Sequence, residues 1–193
     1  MVIVSLCLAP EEPEAGPWRA ERLPVVAATM MRSDHGKSTD RRPFVLAVDG
    51  RSSSAGRPVS YRPPRWDQRQ RPGAIEVPAD CPLLIIEGVG AARRESARLT
   101  DAAIWVQADE CETERRNLAR VGRPGGSTTM QHMREWMAEE MPFLAGRRPW
   151  EHAGLIACGT PQIPFDPATE LVVAPPLARS CHPGKGGSLI SPA

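Results

Sequence analysis

The chain has 193 residues, enough for one domain with a sizeable core. Its 24 Lys and Arg against 23 Asp and Glu leave a formal charge of +1, carried almost wholly by Arg, so no global field draws it to nucleic acid or an anionic membrane. The apolar opening MVIVSLCLAP lacks a basic n-region and a small-residue cleavage site and falls short of the ~20 residues that cross a bilayer, so a cytoplasmic protein is expected.

In chain order, residues 1–43 read as an irregular N-terminal extension. Periodicity is poor, Pro and Glu punctuate "APEEPEAGP", and there is room for one strand or helix at Leu23–Met31. Residues 44–178 read as one α/β domain. Its four apolar runs are "FVLAVD" (Phe44–Asp49), "LLIIE" (Leu83–Glu87), "AAIWVQ" (Ala102–Gln107) and "GLIAC" (Gly154–Cys158), the pattern of buried parallel strands. Between Arg57 and Pro82, six prolines and no helical spacing predict no helix.

Helices are predicted at "AARRESARL" after the second run and at "DECETERRNLAR" after the third. The latter opens on a capping box, Asp109 with Glu112. "STTMQHMREWMAEEMPFLAG" aligns Met130, Met133, Trp136, Met137, Met141 and Leu144 on one helical face, which predicts core packing rather than a cofactor box. Strand and helix alternate, so the expected class is α/β with a mainly parallel sheet. Residues 179–193, "RSCHPGKGGSLISPA", predict a disordered tail.

The five cysteines, Cys7, Cys81, Cys111, Cys158 and Cys181, are scattered, form no C-x-x-C pair and have no His at metal-ligand spacing. Reduced thiols are expected and a zinc site is not.

"AVDGRSSSAGRP" runs from a strand into a Gly/Ser-rich turn, as a phosphate-binding loop does. Such a loop surrounds phosphates with backbone N–H groups at the positive end of the following helix. Its Lys reaches the phosphate oxygens, and its Ser/Thr holds Mg²⁺, in the pattern G-x-x-x-x-G-K-[ST]. Here Gly50 is in place, but Ala55 stands five residues on, Gly56 comes one step late, and Arg57 and Pro58 follow. "HGKST" at His35–Thr39 is read as a chance match, because no strand precedes it and the first glycine would fall at Met31.

Glu87, ending an apolar run, can hold a Mg²⁺-bound water or simply face solvent. Arg115, Arg116 and Arg120 can close over a triphosphate or form a solvated helix face. Both readings stay open at each place.

In their order and density, "VLAVDGRSSSAG", "VSYRPPRWD", "PGAIEVPADCPLLIIEGVGAARR", "DAAIWVQAD", "EWMAEEMPFLAGRRPWEHAGLIACGTP" and "DPATELVVAPPL" resemble the uridine kinase-like family of P-loop kinases, in particular its bacterial, actinomycete-type members. The resemblance spans roughly Phe44 to Leu177. It implies a P-loop NTPase-like, mainly parallel sheet of five strands with flanking helices. It also implies transfer of the ATP γ-phosphoryl group to the 5′-hydroxyl of a pyrimidine nucleoside, with Mg²⁺.

By position, Gly50, Ser52, Ser53, Ser54, Gly56 and Arg57 match the ATP-binding loop. Tyr61 matches a nucleoside-contacting aromatic, and Glu87 matches the strand acid, catalytic and metal-binding. Arg116 and Arg120 match the lid, Arg116 on ATP and Arg120 in catalysis. The departures are large: "GRSSSAG" runs almost straight into "RPVSYRPPRWD", as if one strand–helix unit were missing. The Lys, the Mg²⁺-binding hydroxyl and the base for the attacking hydroxyl go with it. Phosphoryl transfer depends on positioning and charge stabilisation, so weak or absent kinase activity is expected. The alternatives are a non-catalytic α/β binding or scaffold protein and an internally deleted, poorly folding copy. The expected partner is a nucleotide or nucleoside, with neither nucleic acid nor membrane; the oligomeric state stays open.

Overall fold

The structure, a computed structural model, describes residues 6–32, 44–49, 59–68, 70–78, 81–119 and 130–177. In chain order the elements are β1 (Arg19–Arg22), α1 (Leu23–Met31), β2 (Phe44–Asp49), β3 (Val59–Tyr61), α2 (Pro64–Gln68), β4 (Ile75–Val77), β5 (Leu83–Gly88), β6 (Ala102–Gln107), α3 (Glu110–Leu118), α4 (Met130–Arg147), β7 (Leu155–Cys158) and β8 (Glu170–Ala174). Single 3-10 turns lie at Arg94–Ser96 and Pro149–His152.

Six strands form one sheet in the order β1-β8-β7-β6-β2-β5, and β3 pairs with β4 in a separate hairpin. The four apolar runs become its parallel part, with β5 as the end strand. β2 pairs with β5 from Phe44↔Leu83 to Asp49↔Gly88 and with β6 from Leu46↔Ala102 to Val48↔Ile104. β6 pairs with β7 from Ile104↔Leu155 to Gln107↔Cys158. β8 and β1 then add antiparallel. The chain is therefore α/β with a mostly parallel sheet.

The faces separate by strand parity. On one, Trp105, Ile156 and Ala174 pack with Trp150, Leu144 and two residues of the N-terminal arm, Ala9 and Ala15. Trp105 and Trp150 meet edge to face, centroids 5.6 Å apart, a favoured aromatic geometry. That face continues through Val45, Ala47, Ile86, Ala91 and Ala92. On the other face, Val26 and Met30, one turn apart on α1, pack onto Ile104, Leu155, Ala157 and Val173. Pro24 sits in the first turn of α1, where its missing N–H costs no helical bond.

Three expectations change. Leu23–Met31, expected to hold one strand or helix, is the helix α1, whereas Arg19–Arg22 before it, read as irregular, forms β1; both belong to the main sheet and its core. "AARRESARL" winds only into the short turn at Arg94–Ser96. Positive φ at Gly88 and Gly90 and the burial of Ala91 and Ala92 against β2 use up the start of that connection. The Pro-rich stretch does contain a helix, α2, because Pro64 takes the first helical position. Around α2, Arg62 donates to the Asp67 carboxylate, to the Gly73 carbonyl and, at 2.6 Å, to the Arg71 carbonyl. The Arg71 guanidinium lies 4.3 Å over the Trp66 ring.

The stripe on α4 is core only toward its end. Leu144 is buried, Met137 and Met141 are half-buried, Met130 and Trp136 are exposed, and the Met133 side chain lies outside the described residues. β5 ends the sheet with one face open: Leu83 and Ile85 are exposed, at 38% and 56%, while Ile86 and Gly88 point inward.

Candidate functional site

Because β5, β2, β6 and β7 run parallel, their carboxyl ends share one edge. The chain leaves β2 toward β5 on one side and leaves β6 toward β7 on the other. The reversal of connection direction falls between β2 and β6, the usual ligand position in open α/β sheets.

Of the residues singled out from the sequence, Gly50, Ser52, Ser53, Ser54, Gly56, Arg57 and Arg120 lie outside the described residues, as do the HGKST segment and the C-terminal tail. β2 ends at Asp49, one residue before Gly50. Glu87 is exposed near the end of β5, in register with Val48. Tyr61 is exposed on β3, opposite Ile75 in the separate hairpin.

Arg116 lies near the end of α3. Its guanidinium donates to Glu112 Oε1 at 2.7 Å and to the Gly159 carbonyl at 3.0 Å, just beyond β7. With strands about 4.8 Å apart, the ends of β5 and β7 are separated by about 14 Å across β2 and β6. The structure thus places Glu87 and Arg116 on the same edge but at opposite ends of it.

Among the described residues, two recesses open along this edge. The first, about 190 Å³, lies just past Gly88 and is lined by Val89, Trp136 and Phe143 with Glu139 and Glu140. The second, about 150 Å³, lies at the end of β6, under the N-terminal arm and between α3 and α4. Trp105, Met141 and Leu144 supply its apolar wall; Glu12, Glu110, Glu114 and Glu140 supply carboxylates.

The second recess rests on a buried polar network that sequence reading missed. Gln107 is fully buried at the end of β6. Its amide donates to Glu12 Oε1 at 2.8 Å and to the Pro13 carbonyl at 3.0 Å, and its oxygen accepts from the Ala15 N–H at 2.8 Å. Trp105 Nε1 donates to the same Glu12 oxygen at 2.6 Å. Burial pushes the Glu12 carboxyl above its ordinary range, against the pull of these donors. Glu110 is raised as well, by burial first and then by the charges of Glu12 and Asp109, and among the described residues its buried Oε1 has no hydrogen-bond partner.

The signal for this network was present in "AAIWVQ". Trp105 and Gln107, two apart on one strand face, bring buried donors that need an acceptor. Nothing in "APEEPEAGP" showed that Glu12 supplies it.

Asp109 caps α3: Oδ1 accepts from the Glu112 N–H at 2.9 Å. Half of the predicted capping box forms. The Glu112 carboxylate turns to Arg115 and Arg116, and the Asp109 N–H donates to Thr160 Oγ1 at 3.1 Å.

Among the described residues no three His, Cys, Asp or Glu side chains converge on a possible metal position. Mg²⁺ is commonly held by one or two carboxylates together with water and substrate phosphates. An exposed strand-end Glu87 meets that minimum only if phosphates supply the remaining oxygens. In comparisons with known proteins the chain matches no family model, no curated protein and no solved structure.

Proposed function

We propose that this is a uridine kinase-like P-loop protein that binds a nucleoside or nucleotide at the carboxyl edge of its sheet and transfers phosphoryl groups weakly or not at all. The observation that carries the reading is positional. β2, which runs into the Gly/Ser-rich "GRSSSAG", is a central parallel strand, and Glu87 of β5 lies beside its end. The recess beyond Gly88 adds to it. Trp136 and Phe143 offer flat apolar surface, and Glu139 and Glu140 offer acceptors, a combination suited to a nucleobase.

When bound, Mg²⁺ would neutralise charge on the phosphates of ATP; in this chain Glu87 is the residue to hold it, through water. The impairment follows from the sequence: Arg57 and Pro58 stand where a Lys and a hydroxyl are needed. Arginine's broad planar fork replaces a compact ammonium poorly in a tight loop. A lid role for Arg116 requires it to leave Glu112 and the Gly159 carbonyl first.

The test pairs equilibrium dialysis against ATP and uridine with a coupled assay using uridine or cytidine and Mg-ATP. Micromolar binding of one ligand with little turnover is the expected result, and Trp136→Ala should weaken uridine binding about tenfold or more. Robust turnover lost on Glu87→Ala would overturn the impairment. Absence of binding to both ligands would favour a scaffold, to which the occupied guanidinium of Arg116 already lends support.

A further inference from the structure

The N-terminal arm is fastened to the start of α3 through Cys7. The Cys7 N–H donates to Asp109 Oδ2 at 2.9 Å, and the Glu110 N–H donates back to the Cys7 carbonyl at 2.7 Å. These two bonds hold the Cys7 backbone against the residues just before Cys111. The Cys111 thiol is the largest influence on the Cys7 thiol and the first cause that pushes it upward. Both are free and exposed. Cys81 and Cys158 are engaged elsewhere: the Cys81 thiol donates to the Leu83 carbonyl at 3.0 Å, and Cys158 ends β7, half-buried.

We propose that Cys7 and Cys111 form a dithiol modification site that small disulfides of the glutathione class oxidise to an intramolecular disulfide, locking the arm onto α3. A disulfide demands a narrow range of backbone separation and direction. Cys7 is held by one bond to the Asp109 carboxylate and one to the Glu110 N–H, directly before Cys111, so the two thiols can close by rotating side chains. One protein thiolate attacks the reagent disulfide, whose S–S bond breaks; a mixed disulfide forms and one glutathione thiolate leaves. The second protein thiolate then attacks the protein sulfur of that mixed disulfide and expels the other glutathione. The protein loses two electrons and two protons, and the reagent becomes two thiols.

The lock has a local consequence. The arm carries Ala9 and Glu12, which line the acidic recess, and Ala15, which closes over Gln107. Oxidation therefore fixes one wall of that recess. The surroundings of Cys7 set the pace of the exchange. The Cys7 thiol is pushed upward by its Cys111 neighbour first, then by burial and by the charges of Glu110 and Asp109, so reaction should quicken as pH rises above neutrality.

The test treats the full chain with oxidised glutathione at about pH 8 and maps tryptic peptides without reduction. The expected product has lost two of its five thiols and contains the peptide ending at Arg19 joined to the peptide ending at Arg115, separable by dithiothreitol. Amide exchange at Ala9 and Ala15 should slow about tenfold or more on oxidation. Cys7→Ser and Cys111→Ser should each abolish the cross-link, and Cys81→Ser should leave it. Stable mixed disulfides at both cysteines, a cross-link to Cys158 or Cys181, or only intermolecular disulfides would overturn the proposal. The peptide map of the unaltered chain decides the matter even if a variant misfolds.

Discussion

Glu112 accepts from Arg115 at 2.6 Å and from Arg116 at 2.7 Å, and these guanidinium groups hold its carboxyl down to about 2. A carboxyl lowered on folding stabilises the native state above its ordinary value, 4.5 here, and loses that contribution as pH falls toward about 2. Glu12 behaves oppositely. Burial raises it, so the native state takes up its proton first, and the associated stability falls as pH rises through the raised value. Thermal unfolding across the acid range should therefore show two opposed effects. Glu112→Gln should flatten the loss of melting temperature at the acid end, and Glu12→Gln should remove the fall on the other side. A melting-temperature profile unchanged by either variant would contradict the assignment.

At the scale of the element, α3 depends on a few atoms at its entrance. One Asp109 carboxylate oxygen caps the Glu112 N–H and the other holds Cys7, so this side chain serves both helix and arm. Asp109→Ala should cost about 1 kcal/mol by loss of the cap, with faster amide exchange at Cys7 as the distinguishing readout. The turn after β7 is tight for a different reason. A Cβ on Gly159 would lie 2.8 Å from Ala108 Cβ and 3.2 Å from Val106 Cγ1, neither able to swing aside. Gly159→Ala should destabilise by about 1–3 kcal/mol in denaturant unfolding, as overpacked sites do. It should also disturb the Arg116 contact to the Gly159 carbonyl. The acidic first turn of α3, with Glu110 and Glu112, was legible from "DECETERR", and the pairing of Glu112 with Arg115 and Arg116 follows from their spacing of three and four residues on one helix face.

For the whole molecule, the decisive feature is where the sheet stops. α1 covers the β6–β7–β8 portion of its face, while β5 closes the sheet with Leu83 and Ile85 exposed. An unguarded apolar edge strand is a site for self-association. Ile85→Lys should reduce aggregation measured by light scattering at raised concentration, with a change in stability within about 0.5 kcal/mol because the side chain is already solvent-facing. Stronger aggregation of the variant would show that Ile85 is covered in solution.

Local pattern alone was enough to place the four parallel strands and α3, because a short run of β-branched and aliphatic residues, or an Asp cap before a charged helix, is written in neighbouring positions. The resemblance of Gly50–Arg57 to a phosphate-binding loop is an expectation of the sequence, and those residues lie outside the described ones. Contacts made across long stretches of chain were decided by the tertiary structure. They set β1 and α1 into the main sheet, brought Glu12 to Trp105 and Gln107, and laid Cys7 against Asp109 and Glu110. They also left Met130 and Trp136 of the α4 stripe in solvent. The reason is geometric: periodicity reports which face of an element is apolar, whereas what meets that face depends on the order in which the strands assemble.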